Sequence, residues 1–125
     1  MSDNLPKVKI EKVVLIENEY EDQHGNIYSA LKLIEQSKKY KQFDLPLIGI
    51  NLNRPAWNIG NLADFIHHVD RLRHTNIDHP IILDNEGVIC DGLHRVCKAI
   101  LEGKTTIKAI RLEEMPPKDR QENKD

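Results

Sequence analysis

Asp91, Gly92, His94 and Arg95 stand almost side by side in the stretch Ile89-Cys90-Asp91-Gly92-Leu93-His94-Arg95. Beyond them, Leu93, Val96, Cys97, Ile100 and Leu101 recur at helical spacing up to a stop at Gly103, which puts both bases in the first turn of a helix. A helix start carries partial positive charge and N–H donors without intrahelical partners, so cations there cost stability unless an anion joins them. Arginine grips a phosphate through two parallel hydrogen bonds, histidine adds a donor whose proton is labile near neutral pH, and glycine allows an otherwise costly turn. The chemistry these residues suit is phosphate binding. A purely structural arrangement of the same residues has Asp91 capping the helix, Gly92 forming the turn, and His94 and Arg95 facing solvent or carboxylates such as Asp84 and Glu86.

The elements that must position this turn follow from local pattern. Pro80 to Asp84, a short Asn85-Glu86-Gly87 turn and Val88 to Cys90 read as a hairpin leading into the helix. Thr105 to Leu112 is a β-rich closing strand with apolar residues on both sides, expected at a central position in the sheet. Upstream, Asn61 is a plausible N-cap with Asp64 three residues on, and Leu62, Phe65, Ile66, Val69 and Leu72 form the apolar stripe of the clearest helix, with His67, His68, Asp70, Arg71 and His74 on its other side. Leu45 to Leu52 reads as a buried strand followed by an irregular connection through Pro55 and Gly60. Ser29 to about Tyr40 is a weaker helix with Leu31 and Ile34 on the face of Ile27, Glu17 to Asn26 is an acidic loop ending in a Gly-Asn turn, and Lys7 to Ile16 is one strand or two. The fold class is α+β.

Other chemistry-bearing side chains read more plainly. His67 and His68 are adjacent on a helix and diverge, which is poor ligand geometry, so the histidine cluster reads as a solvated face rather than a second wall of the phosphate site reached by His67 or Arg71. Trp57, beside Pro55, reads as a core anchor that is also suited to stack on a base. Cys90 and Cys97 have neither disulfide-framework nor zinc-ligand spacing and read as buried reduced thiols.

With 125 residues, 39% of them hydrophobic and 30% charged, the composition is that of a single soluble domain. A net charge of −2 gives no global basic field for nucleic acid, so such binding should be weak or absent. No apolar run approaches the roughly 20 residues of a membrane span, and no signal-peptide layout is present, which makes a cytoplasmic location the expectation. The polar ends, MSDN and PPKDRQENKD, are expected to be loosely docked.

The segment PIILDNEGVICDGLHRVCKAILEGKTTIKAIRL resembles the core of the ParB and sulfiredoxin superfamily, with the likeness running from about Leu47 to Leu112 and nearest to small stand-alone bacterial proteins with a DGxHR motif. Sulfiredoxins have a Gly-Cys-His-Arg turn; Gly92, His94 and Arg95 coincide with it, while Leu93 replaces the reactive cysteine and removes sulfinic-acid reduction. ParB proteins have Gly-Glu-Arg-Arg, where Leu93 and His94 replace the Glu and the first Arg. Free serine kinases have Asp-Gly-His-His-Arg, with which Asp91, Gly92, His94 and Arg95 coincide. INLNRPAW is similar to the asparagine-and-arginine box of the ParB domain, which sets Asn51 and Arg54 against a nucleotide.

The resemblance implies a ParB/sulfiredoxin-like small mixed sheet with packed helices at residues 45–112, an N-terminal extension packed on it at 1–44 and a polar tail at 113–125. It implies a nucleotide (ATP, ADP or CTP) or another phosphorylated small molecule, with Mg²⁺, bound by Gly92, Leu93, His94, Arg95, Asn51 and Arg54. Asp91 and His94 are the candidate catalytic groups, Asp91 capping the helix or orienting metal-bound water, with no metal site built from protein ligands alone. If the chain is an enzyme, phosphoryl transfer or nucleotide hydrolysis is the reaction class. The competing expectations are a DNA-associated ParB-like module, either nuclease-like or partition-related, and a non-catalytic partner-binding domain. A homodimer is left open.

Overall fold

The computed structural model describes residues 4–10 and 19–122. Among the described residues it is an α+β arrangement of three α-helices and two small sheets. The central sheet has four strands in the order β3 (Phe43–Pro46), β6 (Thr106–Arg111), β4 (Ile81–Leu83), β5 (Ile89–Asp91). β3 runs antiparallel to β6, β6 parallel to β4, and β4 antiparallel to β5, so the hairpin and the internal position of the closing strand are as the sequence predicts. Helix α3 (Leu93–Leu101) carries the chain across from β5 to β6.

Strand alternation gives the central sheet two apolar faces. Ile81, Leu83, Ile107 and Ala109 join Val96 and Ala99 of α3 in one cluster. Ile82 and Leu112 face the other way, against Tyr28 and against Leu33 of α1 (Ala30–Ser37). The N-terminal part thus packs on the core through α1, but not by the expected face: Leu31 is exposed, and Ala30, Leu33, Gln36 and Ser37 are buried. The polar pair tolerates burial because Gln36 Nε2 donates to Glu114 O at 2.7 Å and Ser37 Oγ to Ile34 O at 2.6 Å.

The second sheet was not expected. Glu19–Glu21 is a strand, β1, where the sequence reads as loop, and it pairs with β2 (Asn26–Ser29) around a turn held by Asp22, whose carboxylate accepts from the His24 and Asn26 amides at 2.9 Å each. Its third strand, β7 (Arg120–Gln121), comes from the polar tail. The tail docks because Asp119 accepts from Ser29 N at 2.7 Å and pairs with Lys32, and because Arg120 grips Glu19 with two hydrogen bonds.

Two further expectations fail. Lys7 to Ile10 has no regular structure, and the rest of the strand expected to end at Ile16 lies outside the described residues. The strand expected over Leu45 to Leu52 stops at Pro46, which lacks an N–H for the ladder, and the chain turns through a 3-10 helix at Leu47–Gly49 that leaves Ile48 97% exposed. Among the described residues no helix is long and apolar enough to cross a membrane.

Candidate functional site

Helix α2 (Leu62–His74) has its expected cap, Asn61 Oδ1 accepting from Asp64 N at 2.9 Å, but it is rotated by half a turn from the expected orientation. Leu62 is 73% exposed, Phe65 52%, and Ile66 and Val69 are also exposed. The face turned toward α3 is Asp64, His67, His68 and Arg71, its two histidines half-buried and its two ends exposed, and these residues have the same i, i+3, i+4, i+7 spacing as the apolar stripe. This polar face lies against the start of α3. At its far end Lys98 Nζ donates to the Arg73 and Thr75 carbonyls at 3.1 and 2.8 Å, a cation at the helix C-terminus that fastens the two helices together.

Between α2, the start of α3 and the connection carrying Arg54 and Trp57 lies a cavity of ≈ 490 Å³. The turn at its base depends on Gly92, whose φ is 109°; a Cβ there would sit 2.6 Å from Ile81 Cγ2. Gly92 is also the N-cap residue, so α3 starts without a side-chain cap. Asp91, expected to cap it, instead ends β5 and pairs with Arg95 at 2.9 Å, its carboxylate already bound one helical turn away. Arg95 Nη2 donates to Pro80 O at 3.1 Å as well. Neither Asp84 nor Glu86 takes part: Asp84 accepts from the Tyr20 hydroxyl and from the Glu86 and Val88 amides, and Glu86 bonds Gln23 and His24.

His94 is 8% exposed and its partner is another imidazole, His68 Nδ1 lying 3.0 Å from His94 Nε2. The two rings are within 14° of parallel, and Trp57 stacks on both, at centroid distances of 4.5 Å to His68 and 4.2 Å to His94. Burial, then the nearby charges of Arg71, the other histidines and Arg95, push the His94 pKa down to about 3; burial, His67 and Arg71 also lower that of His68. At neutral pH the pair is uncharged and shares a single hydrogen bond, so His94 offers a ligand polarity rather than charge.

The positive charge at the cavity comes from Arg54, Arg71 and Arg95, set on three separate elements, against Asp64 and Asp91. Glu19 also lines it but is held by Arg120. Among the described residues Arg54 and Arg71 have no carboxylate in ion-pair range, and Arg54 makes only long bonds, at 3.4 Å each, to the carbonyls of Pro55 and Ile89.

Of the residues singled out in the sequence, Asp91, Gly92, Leu93, His94, Arg95 and Arg54 therefore line one cavity, and Asn51 lines a neighbouring one. Asn51 Oδ1 is taken up by the Asn53 amide at 3.0 Å. The inward face of α2 and the stacking role of Trp57 are what the sequence reading passed over. Trp57 is half-buried in the wall rather than a core anchor, and His67 and Arg71 line the cavity, His67 half-buried and Arg71 exposed. The signal for them was the helical spacing of the polar residues themselves. Cys90 and Cys97 are free thiols, half-buried rather than fully so, and burial raises the pKa of both.

Among the described residues no group of three or more His, Cys, Asp or Glu side chains is placed to hold a metal ion. In comparison with known proteins, no family model, curated protein or solved structure matches the chain.

Proposed function

We propose that the cavity at the start of α3 binds a nucleotide or another phosphorylated small molecule. The observation that carries this reading is the convergence of Arg54, Arg71 and Arg95 on one cavity at a helix start that no side chain caps. The weight falls differently from the sequence expectation. Arg54 and Arg71 supply the charge a phosphate needs, Arg95 is shared with Asp91, and the His68–His94 pair under Trp57 forms an uncharged polar wall. The likeness of the DGLHR turn to nucleotide-binding members of the ParB and sulfiredoxin superfamily supports the same ligand class.

Mg²⁺ fits this site only as a companion of the ligand. The carboxylate next to the turn, Asp91, is ion-paired, so phosphates and water would make up most of the ion's shell. Ligand binding, more than turnover, is what the arrangement supports, and a cytoplasmic location, where nucleotides are abundant and thiols stay reduced, belongs to the same reading.

The test is a thermal-shift panel of ATP, ADP, CTP, ribose 5-phosphate and pyrophosphate with and without Mg²⁺. A ligand at a hundred times its dissociation constant stabilises the fold by about 2.7 kcal/mol, which a melt resolves easily. A panel that leaves the melting temperature unmoved at millimolar concentrations overturns the proposal. One observation favours a second reading, a non-catalytic partner-binding domain: the apolar ridge of Leu62, Phe65, Ile66 and Val69 is exposed along α2, and it suits a protein partner or a second copy of the chain.

A further inference from the structure

Arg54 also lines a second cavity, of ≈ 480 Å³, whose character is different. Its walls are Leu45, Ile50, Leu83, Val88 and Ile89. Leu83 and Ile89 belong to the buried core and Leu45 and Ile50 pack against it, so the floor of the cavity is the hydrophobic core itself. Pockets of roughly 300–1,000 Å³ with apolar walls and a few polar groups are the usual form of a small-molecule site. The polar side chains here are Arg54 and Asn51, and among the described residues no carboxylate lines it. With Asn51 Oδ1 occupied by the Asn53 amide, the side chain has its Nδ2 hydrogens left to give, and the Arg54 guanidinium has only its two long carbonyl bonds. The cavity therefore combines apolar walls with donors at one end.

We propose that this cavity binds an apolar monocarboxylate, with the carboxylate on Arg54 and Asn51 Nδ2 and the hydrocarbon against Leu45, Leu83 and Val88. A planar guanidinium matches a carboxylate with two parallel hydrogen bonds. One arginine in apolar surroundings suits a single charge, whereas a phosphate dianion would lose its hydration there with too little in return. The two cavities share Arg54, whose guanidinium serves either the carboxylate here or a phosphate there, while Asn51, Leu45, Leu83 and Val88 line this cavity and not the polar one.

Saturated straight-chain carboxylates titrated into the full-length chain by calorimetry, with methyl groups of the isoleucines, leucines and valines followed by NMR, test it. Affinity is expected to rise from hexanoate to decanoate by up to about fourfold per methylene. Decanol, with the same chain and no charge, is expected to bind at least about tenfold more weakly than decanoate, as a charge-assisted contact implies. Arg54→Gln is expected to bring decanoate down to the level of decanol, and Val88→Phe to weaken both by filling the cavity. The shifted methyls are expected to be those of Ile50, Leu83 and Val88. Shifts confined to Leu62, Ile66 and Val69 on the exposed face of α2 would show an adventitious additive only and overturn the proposal. So would equal binding of decanoate to the parent chain and to both variants, or no binding at millimolar concentration.

Discussion

Gly92 meets two demands that no other residue satisfies together. Its φ of 109° lies where side chains are strained, and a Cβ would meet Ile81 Cγ2 at 2.6 Å and Arg95 Nη2 at 2.8 Å. Backbone strain of this kind costs about 1–3 kcal/mol and overpacking a similar amount, so Gly92→Ala is expected to destabilise the fold by about 2–6 kcal/mol in urea unfolding. A loss below about 0.5 kcal/mol, the range of neutral surface changes, would mean that the turn is not as described. His94 makes a second residue-level claim. The folded chain keeps its imidazole neutral down to about pH 3, whereas an unfolded histidine protonates near 6.5. Between those values unfolding takes up a proton, so the contribution is fully present above about pH 6.5 and is lost as pH falls toward 3. The slope is at most about 1.4 kcal/mol per pH unit. Stability of the parent chain minus that of His94→Gln is therefore expected to rise with pH across this window, and a flat difference would contradict the buried neutral pair.

Helix α2 shows why amphipathic patterning located an element without orienting it. Its apolar residues and its polar residues both repeat at i, i+3, i+4, i+7, and the face turned toward α3 is the one from which His68 meets His94 and stacks on Trp57. Because Phe65 is 52% exposed, Phe65→Ser is expected to change stability by less than about 1 kcal/mol. Leu33 on α1, fully buried, is expected to cost about 2–5 kcal/mol on truncation to alanine. The sequence-derived orientation of α2 requires Phe65→Ser to be as damaging as Leu33→Ala, so paired urea denaturation curves decide between them. The hairpin β4–β5, the cap at Asn61 and helix α3 were legible because their signals are local: a turn with Gly87, a short polar cap, one unambiguous apolar stripe. The third strand of the second sheet was not, because Arg120 and Glu19 meet across 101 positions and no local pattern records that pairing, and the β1–β2 hairpin, though local, lies in a polar, acidic segment with no apolar alternation to mark it.

For the molecule as a whole, the formal charge of −2 contrasts with a cavity to which three arginines contribute. The chain is expected to bind duplex DNA only weakly at physiological salt, and submicromolar binding by fluorescence anisotropy would promote the DNA-associated reading instead. About half of the site was visible in the sequence, in the turn from Asp91 to Arg95 and in Arg54. The remainder, His67, His68, Arg71 and Trp57, depended on how α2 packs, which is a tertiary outcome.

The central claim is that cations from separate elements hold a phosphorylated ligand together, and Arg71 is the most telling of them because it lines the cavity without any carboxylate in ion-pair range among the described residues. The direct measurement is a calorimetric titration of the best phosphorylated ligand from the thermal-shift panel into the parent chain and into Arg71→Ala. Loss of one charge-assisted contact is expected to weaken binding by about 1.5–3 kcal/mol, with the unfolding midpoint of the unliganded protein nearly unchanged. Equal affinity for the two proteins would contradict the account.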